Sequence, residues 1–105
     1  MPLTKRFVET VKERANRDPD FRRHLLEEAL ETLTSGDLAG GKTLLRDYVT
    51  ATIGFPALAD ELGKDPKNLM RMLSEAGNPR ADTLFPMVAR LKEREGVGVQ
   101  LSSLG

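Results

Sequence analysis

The stretch that decides the fold of this chain is FPALADELGKDPKNLMRMLSEAGNPRADTL, residues 55–84. Leu58 and Leu62 stand four residues apart, which is typical of one face of a short helix, and Gly63 is a plausible end for it. Asp65-Pro66 then begins a second helix, because aspartate caps helices well and proline is tolerated at the first helical position. The pattern predicts two short helices joined by a tight turn.

The second of these helices, residues 66–73, has an apolar side and a polar side. Leu69, with Met72 or Leu73, is expected to be buried. The polar side suits a DNA major groove, because asparagine and arginine make paired hydrogen bonds to adenine and guanine edges. An ordinary solvated helix face would carry the same residues, so the spacing alone leaves both interpretations open. The residues that would face the bases are Lys67, Asn68, Met70 and Arg71.

Helical signals also dominate the rest of the chain. Asp18-Pro19 and Asp37 each precede a run of apolar residues at helical spacing, and a shorter helix comes before them. Residues 84–91 restore that spacing towards the end, and only residues 97–101 alternate like a strand. We therefore predict an all-α fold, a compact bundle of about five to six helices.

Length and composition favour one small globular domain. The chain has 105 residues, of which 39% are hydrophobic and 30% charged. The absence of cysteine excludes disulfides and thiolate zinc sites, and no apolar run is long enough to span a membrane. We expect a cytoplasmic protein without membrane partners. Its parts would be an N-terminal helical extension, residues 1–36, a helix-turn-helix part packed with it, residues 37–95, and a tail, residues 96–105.

The charge is zero overall but unevenly distributed. The net charge is +3 in residues 1–26, −5 in residues 27–63 and +2 in the remainder. A neutral total argues against nonspecific coating of nucleic acid, whereas a local basic surface could still bind phosphate.

Residues 36–43, GDLAGGKT, match the nucleotide-binding loop pattern G-x-x-x-x-G-K-T letter for letter. That loop requires a buried strand before it, and residues 27–33 instead have helical periodicity and three glutamates. We therefore expect no nucleotide site, and we expect Lys42 to be a solvated side chain in a helix.

No catalytic arrangement is expected either. His24 is the only histidine and is expected to be solvated, which leaves little for histidine-based catalysis or for a metal site. Asp60 and Glu61 are adjacent on a helix and would point to different sides. We predict a non-enzymatic protein with no cofactor and no metal.

The aromatic residues are expected to anchor the core: Phe7, Phe21, Tyr48, Phe55 and Phe85.

Two segments carry a resemblance to a known family. They are Leu58-Ala59-Asp60-Glu61-Leu62-Gly63 and the run L-x-x-M-L-S-x-x-G-N-P-R-x-x-T-L at residues 69–84. Together they resemble the Cro and phage-repressor type of helix-turn-helix protein, and more narrowly the addiction-module antidote proteins, its antitoxin branch. The helix at residues 25–36 with Asp37 after it is also similar to that branch.

The resemblance implies a lambda-repressor-like bundle that binds a double-stranded DNA operator as a homodimer. It further implies autorepression and, for the antitoxin branch, neutralisation of a ribonuclease-type toxin. The alternative is a helical interaction module that binds a toxin or another protein, with weak or no DNA binding. Contacts with the phosphate backbone are expected from Lys64, Ser74, Asn78 and Arg80.

Two residues depart from the family's pattern. Lys64 follows the turn glycine, where an apolar residue is usual, so that it either loosens the turn or meets the DNA. Pro86 stands where the last helix would be continuous. A helix that begins at Asp82 tolerates this proline, whereas an earlier start would force a kink.

Overall fold

The computed structural model describes residues 5–97, and within that range the chain forms six α-helices and no strand. This confirms the all-α prediction. The helices are α1 (Lys5–Arg17), α2 (Pro19–Thr34), α3 (Leu38–Ala51), α4 (Phe55–Leu62), α5 (Pro66–Met72) and α6 (Ala81–Glu95).

Three of the helices begin at the aspartates that the sequence indicates. The Asp18 carboxylate accepts a hydrogen bond from the backbone N–H of Phe21 at 3.1 Å. Asp37 and Asp65 cap α3 and α5 in the same way, at 2.9 Å and 2.8 Å. Each cap satisfies an amide that has no partner inside its helix, which fixes where the helix starts.

One apolar core joins α2 to α6. The α2–α3 pair makes the most extensive helix contact, and α1 packs against both of these helices. Burial of the apolar side chains in this core supplies the main stabilising free energy of the bundle. The largest completely buried side chains are Leu26, Leu45, Tyr48, Val49, Leu58, Leu69, Leu73, Met87 and Leu91.

The aromatic residues divide between core and surface. Tyr48 and Phe55 are buried as expected, and Phe21 is half-buried. The expectation is wrong for Phe7 and Phe85, which remain 53% and 68% exposed. In α6 the core-facing side chains lie on the other side of the helix, so Phe85 is left in solvent.

The last helix begins at Ala81, one residue earlier than the start that would accommodate its proline most easily. Pro86 therefore lies inside α6, where it cannot donate the helical hydrogen bond to the carbonyl of Asp82. The helix nevertheless continues to Glu95 as one element.

The strand-like pattern near the C terminus lies outside the described residues except for Val97, which packs against the core. None of the helices between residues 5 and 97 is long and apolar enough to cross a membrane.

A set of three polar side chains, the Tyr48 cluster (Tyr48, Glu95 and Arg22), connects α2, α3 and α6. The Tyr48 hydroxyl donates a hydrogen bond to Oε2 of Glu95. Arg22 donates from Nε to Oε1 of Glu95 at 3.2 Å and from Nη1 to the carbonyl of Ala15 in α1 at 2.5 Å. Burial, together with the hydrogen bond to Glu95 and the charge of that carboxylate, raises the pKa of Tyr48 well above its usual value of 10.0.

Candidate nucleic-acid interface

α4 and α5 pack against each other and are joined by only three residues, Gly63 to Asp65. Gly63 has φ 65° and ψ 35°, the left-handed conformation that glycine adopts without a steric penalty. The backbone N–H of Lys64 then donates to the carbonyl of Ala59 at 2.9 Å, which closes the end of α4. The two short helices and the tight turn predicted for this segment are therefore present.

The buried side of α5 and the residue after it carry three apolar side chains that join the core: Leu69, Met72 and Leu73. The exposed side carries the four residues predicted to face DNA bases: Lys67, Asn68, Met70 and Arg71. Within residues 5–97, the side chains of Lys67, Asn68 and Arg71 make no hydrogen bond or ion pair. Their donors are consequently free to bind a ligand.

An open groove of about 580 Å³ runs beside α5, between the turn before it and the start of α6. Lys67 and Met70 do not line this groove and lie on the exposed surface of α5 next to it. Three of the lining residues are basic and none is acidic, so the groove is a local positive surface on a chain of zero net charge. It brings together six of the eight predicted contact residues: Lys64, Asn68, Arg71, Ser74, Asn78 and Arg80.

The predicted phosphate contacts differ in how available they are. Lys64 and Asn78 are exposed and have no side-chain partner within residues 5–97. Arg80 forms one exposed ion pair, with Nε 3.3 Å from the Asp82 carboxylate, and such pairs are weak in water. The Ser74 hydroxyl donates to the carbonyl of Arg71 at 2.6 Å and so offers the groove an acceptor rather than a donor.

The segment after α5 passes close over the end of that helix. A Cβ atom at position 77 would overlap the carbonyl oxygen of Arg71 and lie 2.8 Å from that of Met72. Only glycine fits there without moving the turn, which explains why position 77 is a glycine.

Lys42 is the main correction to the sequence-based expectations. The expected solvated side chain is in fact only 5% exposed. Its Nζ donates to the backbone carbonyls of Ser74 at 3.0 Å, Glu75 at 3.2 Å and Gly77 at 2.6 Å. These three bonds use every N–H of the ammonium group, so Lys42 is not available to a phosphate.

The G-x-x-x-x-G-K-T match has the wrong structural context for a nucleotide loop. Residues 36–43 follow α2, a helix, where the nucleotide-binding loop requires a strand. Within the described part of the chain, no three His, Asp or Glu side chains lie close enough together to hold a metal ion.

Comparison of the chain with protein-family models, with curated proteins and with solved structures finds no match in any of the three. The guanidinium of Arg71, the amide of Asn68 and the lysine ammonium groups form a surface rich in donors, which suits a ligand that combines negative charge with hydrogen-bonding edges.

Proposed function

We propose that this protein is a sequence-specific DNA-binding transcriptional regulator, in which α4 and α5 act as a helix-turn-helix and α5 enters the major groove. One observation carries the proposal. The exposed side chains of α5, which have no partner among residues 5–97, and the basic groove beside this helix share Asn68 and Arg71, so that they form one surface. Recognition of DNA requires this combination, because bases are identified by hydrogen bonds and phosphates by positive charge.

Base recognition is assigned to the exposed side of α5. Arg71 suits the paired acceptors of guanine, and Asn68 suits the acceptor and donor of adenine. Met70, whose side chain is exposed and apolar, suits a thymine methyl group. Lys67 lies at the start of the helix, where it can meet a base or a phosphate.

Phosphate contacts are assigned to the segments on either side of α5 in the chain. Lys64 precedes the helix, while Asn78 and Arg80 follow it, and all three line the groove. Attraction to DNA would come from this local surface alone, since the whole chain has no net charge. Nonspecific affinity should accordingly be low and strongly weakened by salt.

The resemblance of residues 58–63 and 69–84 to the phage-repressor family extends the proposal. A homodimer would present two copies of α5 to half-sites about 34 Å apart, one helical turn of DNA. Autorepression and neutralisation of a ribonuclease-type toxin belong to the same extension, as properties of the antitoxin branch.

A second candidate function is a helical interaction module that binds a toxin or another protein and binds DNA weakly or not at all. The observation that favours it is Phe85, an aromatic side chain of α6 that is largely exposed on the folded domain. Exposed aromatic residues are common anchors of protein interfaces.

Selection from a pool of randomised duplexes tests the first candidate. The selected duplex and a scrambled one are then titrated across a range of salt concentrations. The proposal predicts preferential binding of the selected duplex, with an affinity that falls as salt increases. Equal and weak binding of both duplexes would overturn it and leave the interaction module.

A further inference from the structure

We infer that Lys42 is a positioning residue for the phosphate-binding side of the groove, because its buried ammonium group holds the turn after α5 in place. The inference rests on the proposed function and deepens it. It concerns a lysine that the sequence presents as part of an apparent nucleotide loop and that the proposed DNA contacts do not use.

The first step is the anchoring of the lysine itself. Lys42 belongs to α3, and Leu45 and Val49 on the same helix are completely buried in the core. The ammonium group is therefore attached to a rigid element. With three carbonyl partners for its three N–H donors, it joins the backbone of three residues of this turn to α3.

The turn that Lys42 binds carries residues of the groove. Ser74 and Gly77, two of the residues whose carbonyls Lys42 binds, also line the groove. Asn78 follows Gly77 directly, and Arg80 stands two residues later. Lys42 therefore binds the backbone of this turn on the side that faces the core. The side chains proposed to contact phosphate extend from the same segment into solvent.

The third step is energetic. Fixing the backbone of a residue costs free energy, because conformational entropy is lost. If the turn were free before binding, DNA would have to supply that free energy when the contacts form. A turn that is already held by Lys42 meets the duplex in an ordered state, which is a gain in affinity without any contact between Lys42 and DNA.

The test compares two variants that each lose one positive charge from α3. Lys42→Met removes the three donors and keeps a side chain of similar length. Arg46→Met is the matched control, because Arg46 lies one turn further along α3 and its side chain makes no hydrogen bond or salt bridge within residues 5–97. Amide hydrogen exchange at residues 74–78 reports the turn, and titrations of the selected and scrambled duplexes report binding by the folded protein.

For Lys42→Met we expect faster exchange at residues 74–78 and an affinity about three- to tenfold weaker for both duplexes, the effect of one or two weakened polar contacts. The ratio of the two affinities should stay unchanged, because base recognition by α5 is not affected. Arg46→Met should leave exchange and both affinities within about twofold of the original protein. A merely structural role for Lys42 would lower the melting temperature without this uniform loss of binding.

Equal amide exchange rates at residues 74–78 and equal DNA affinities in the two variants would overturn the inference. A loss of affinity for the selected duplex alone would overturn it as well. If Lys42→Met does not fold, Gly77→Ala provides the test, because it keeps the ammonium group and displaces the same turn through its clash with the Arg71 carbonyl. Unchanged affinity in a folded Gly77→Ala protein would then contradict the inference. If the original protein binds no duplex, the proposed function fails, and the exchange data still decide whether Lys42 holds the turn.

Discussion

The Tyr48 cluster and the exposed face of α5 use the same kinds of side chain in opposite ways. In the cluster, Arg22 donates to Glu95 and to the carbonyl of Ala15, and the carboxylate of Glu95 is 5% exposed. On α5, Arg71 has no side-chain partner within the described residues and lies in solvent. An arginine that donates to groups of its own fold, as Arg22 does, stabilises that fold, whereas an arginine without such partners at the surface is available to bind a ligand.

This contrast predicts that stability and DNA binding can be changed separately. Substitutions in the Tyr48 cluster should lower the free energy of unfolding and leave the DNA affinity of the folded protein unchanged. Substitutions on α5 and in its groove should do the reverse.

Glu95→Ala should lower the free energy of unfolding by about 3 kcal/mol, because it leaves the buried Tyr48 hydroxyl without an acceptor and Arg22 without its carboxylate. Urea denaturation followed by circular dichroism measures the loss. Glu93→Ala is the matched control, since Glu93 is exposed and forms an ion pair with Arg90 on the surface, so its effect should stay within about 0.5 kcal/mol. Equal losses in the two variants would contradict the assigned role of the cluster.

Arg71→Ala should cost about 1–3 kcal/mol of affinity for the selected duplex and relax specificity at one base pair, while the free energy of unfolding changes by less than about 0.5 kcal/mol. Binding titrations against single-base variants of the duplex measure both effects. Arg90→Ala, which removes an arginine of α6 outside the groove lining, should leave binding unchanged. Unchanged affinity in a folded Arg71→Ala protein would remove Arg71 from the interface.

Tyr48→Phe should cost about 1.5 kcal/mol of stability at pH 7, the contribution of a hydrogen bond to a charged group. The pKa of Tyr48 is raised in the folded protein, so the unfolded chain releases the phenol proton first, near pH 10. The advantage of the original protein over the variant is therefore complete below pH 10 and shrinks as the pH rises above it.

Parallel unfolding curves of the two proteins at increasing pH measure that change. Tyr48 is the only tyrosine in the chain, so tyrosinate absorbance follows its ionisation directly. A stability difference that stays constant across pH 10 would show that burial and Glu95 do not raise the pKa of Tyr48 in the folded protein.

Lys64→Ala should have the smallest effect, less than about 1 kcal/mol of affinity. Because the proposed contact is with phosphate, the selected and scrambled duplexes should weaken by the same factor, and the slope of log K against log salt should fall by about 1. Lys12→Ala, a charge-matched change on the exposed surface of α1, should leave the slope unchanged. A change of specificity in Lys64→Ala would instead assign Lys64 to base contact.

The helices were predictable because their signals are local. Asp18 with its proline, and Gly63 with its left-handed conformation, act on the few residues next to them, so the sequence pattern is sufficient. The exposure of Met70 and the burial of Leu69 follow in the same way from helical spacing alone.

The errors concern residues whose environment is set by distant segments. Lys42 precedes Leu45 and Val49 by three and seven residues, which is the spacing of a buried face, but the carbonyls that make its burial possible lie 32 to 35 residues further along. Phe85 belongs to a helix with apolar residues on more than one side, and only the packing of α6 decides which side is covered. The gathering of Lys64 and Arg80 in one groove likewise depends on the path of the chain after α5, which no local pattern specifies.

The most direct test of the account is an NMR titration of the isotope-labelled protein with a duplex of about 20 base pairs, two turns of DNA, at low salt. We predict that backbone signals of residues 64–83 shift on binding, while those around Tyr48 and Glu95 do not. Shifts centred on α1 and α2, or none at all, would contradict the assignment of α5 and its groove as the DNA-binding surface.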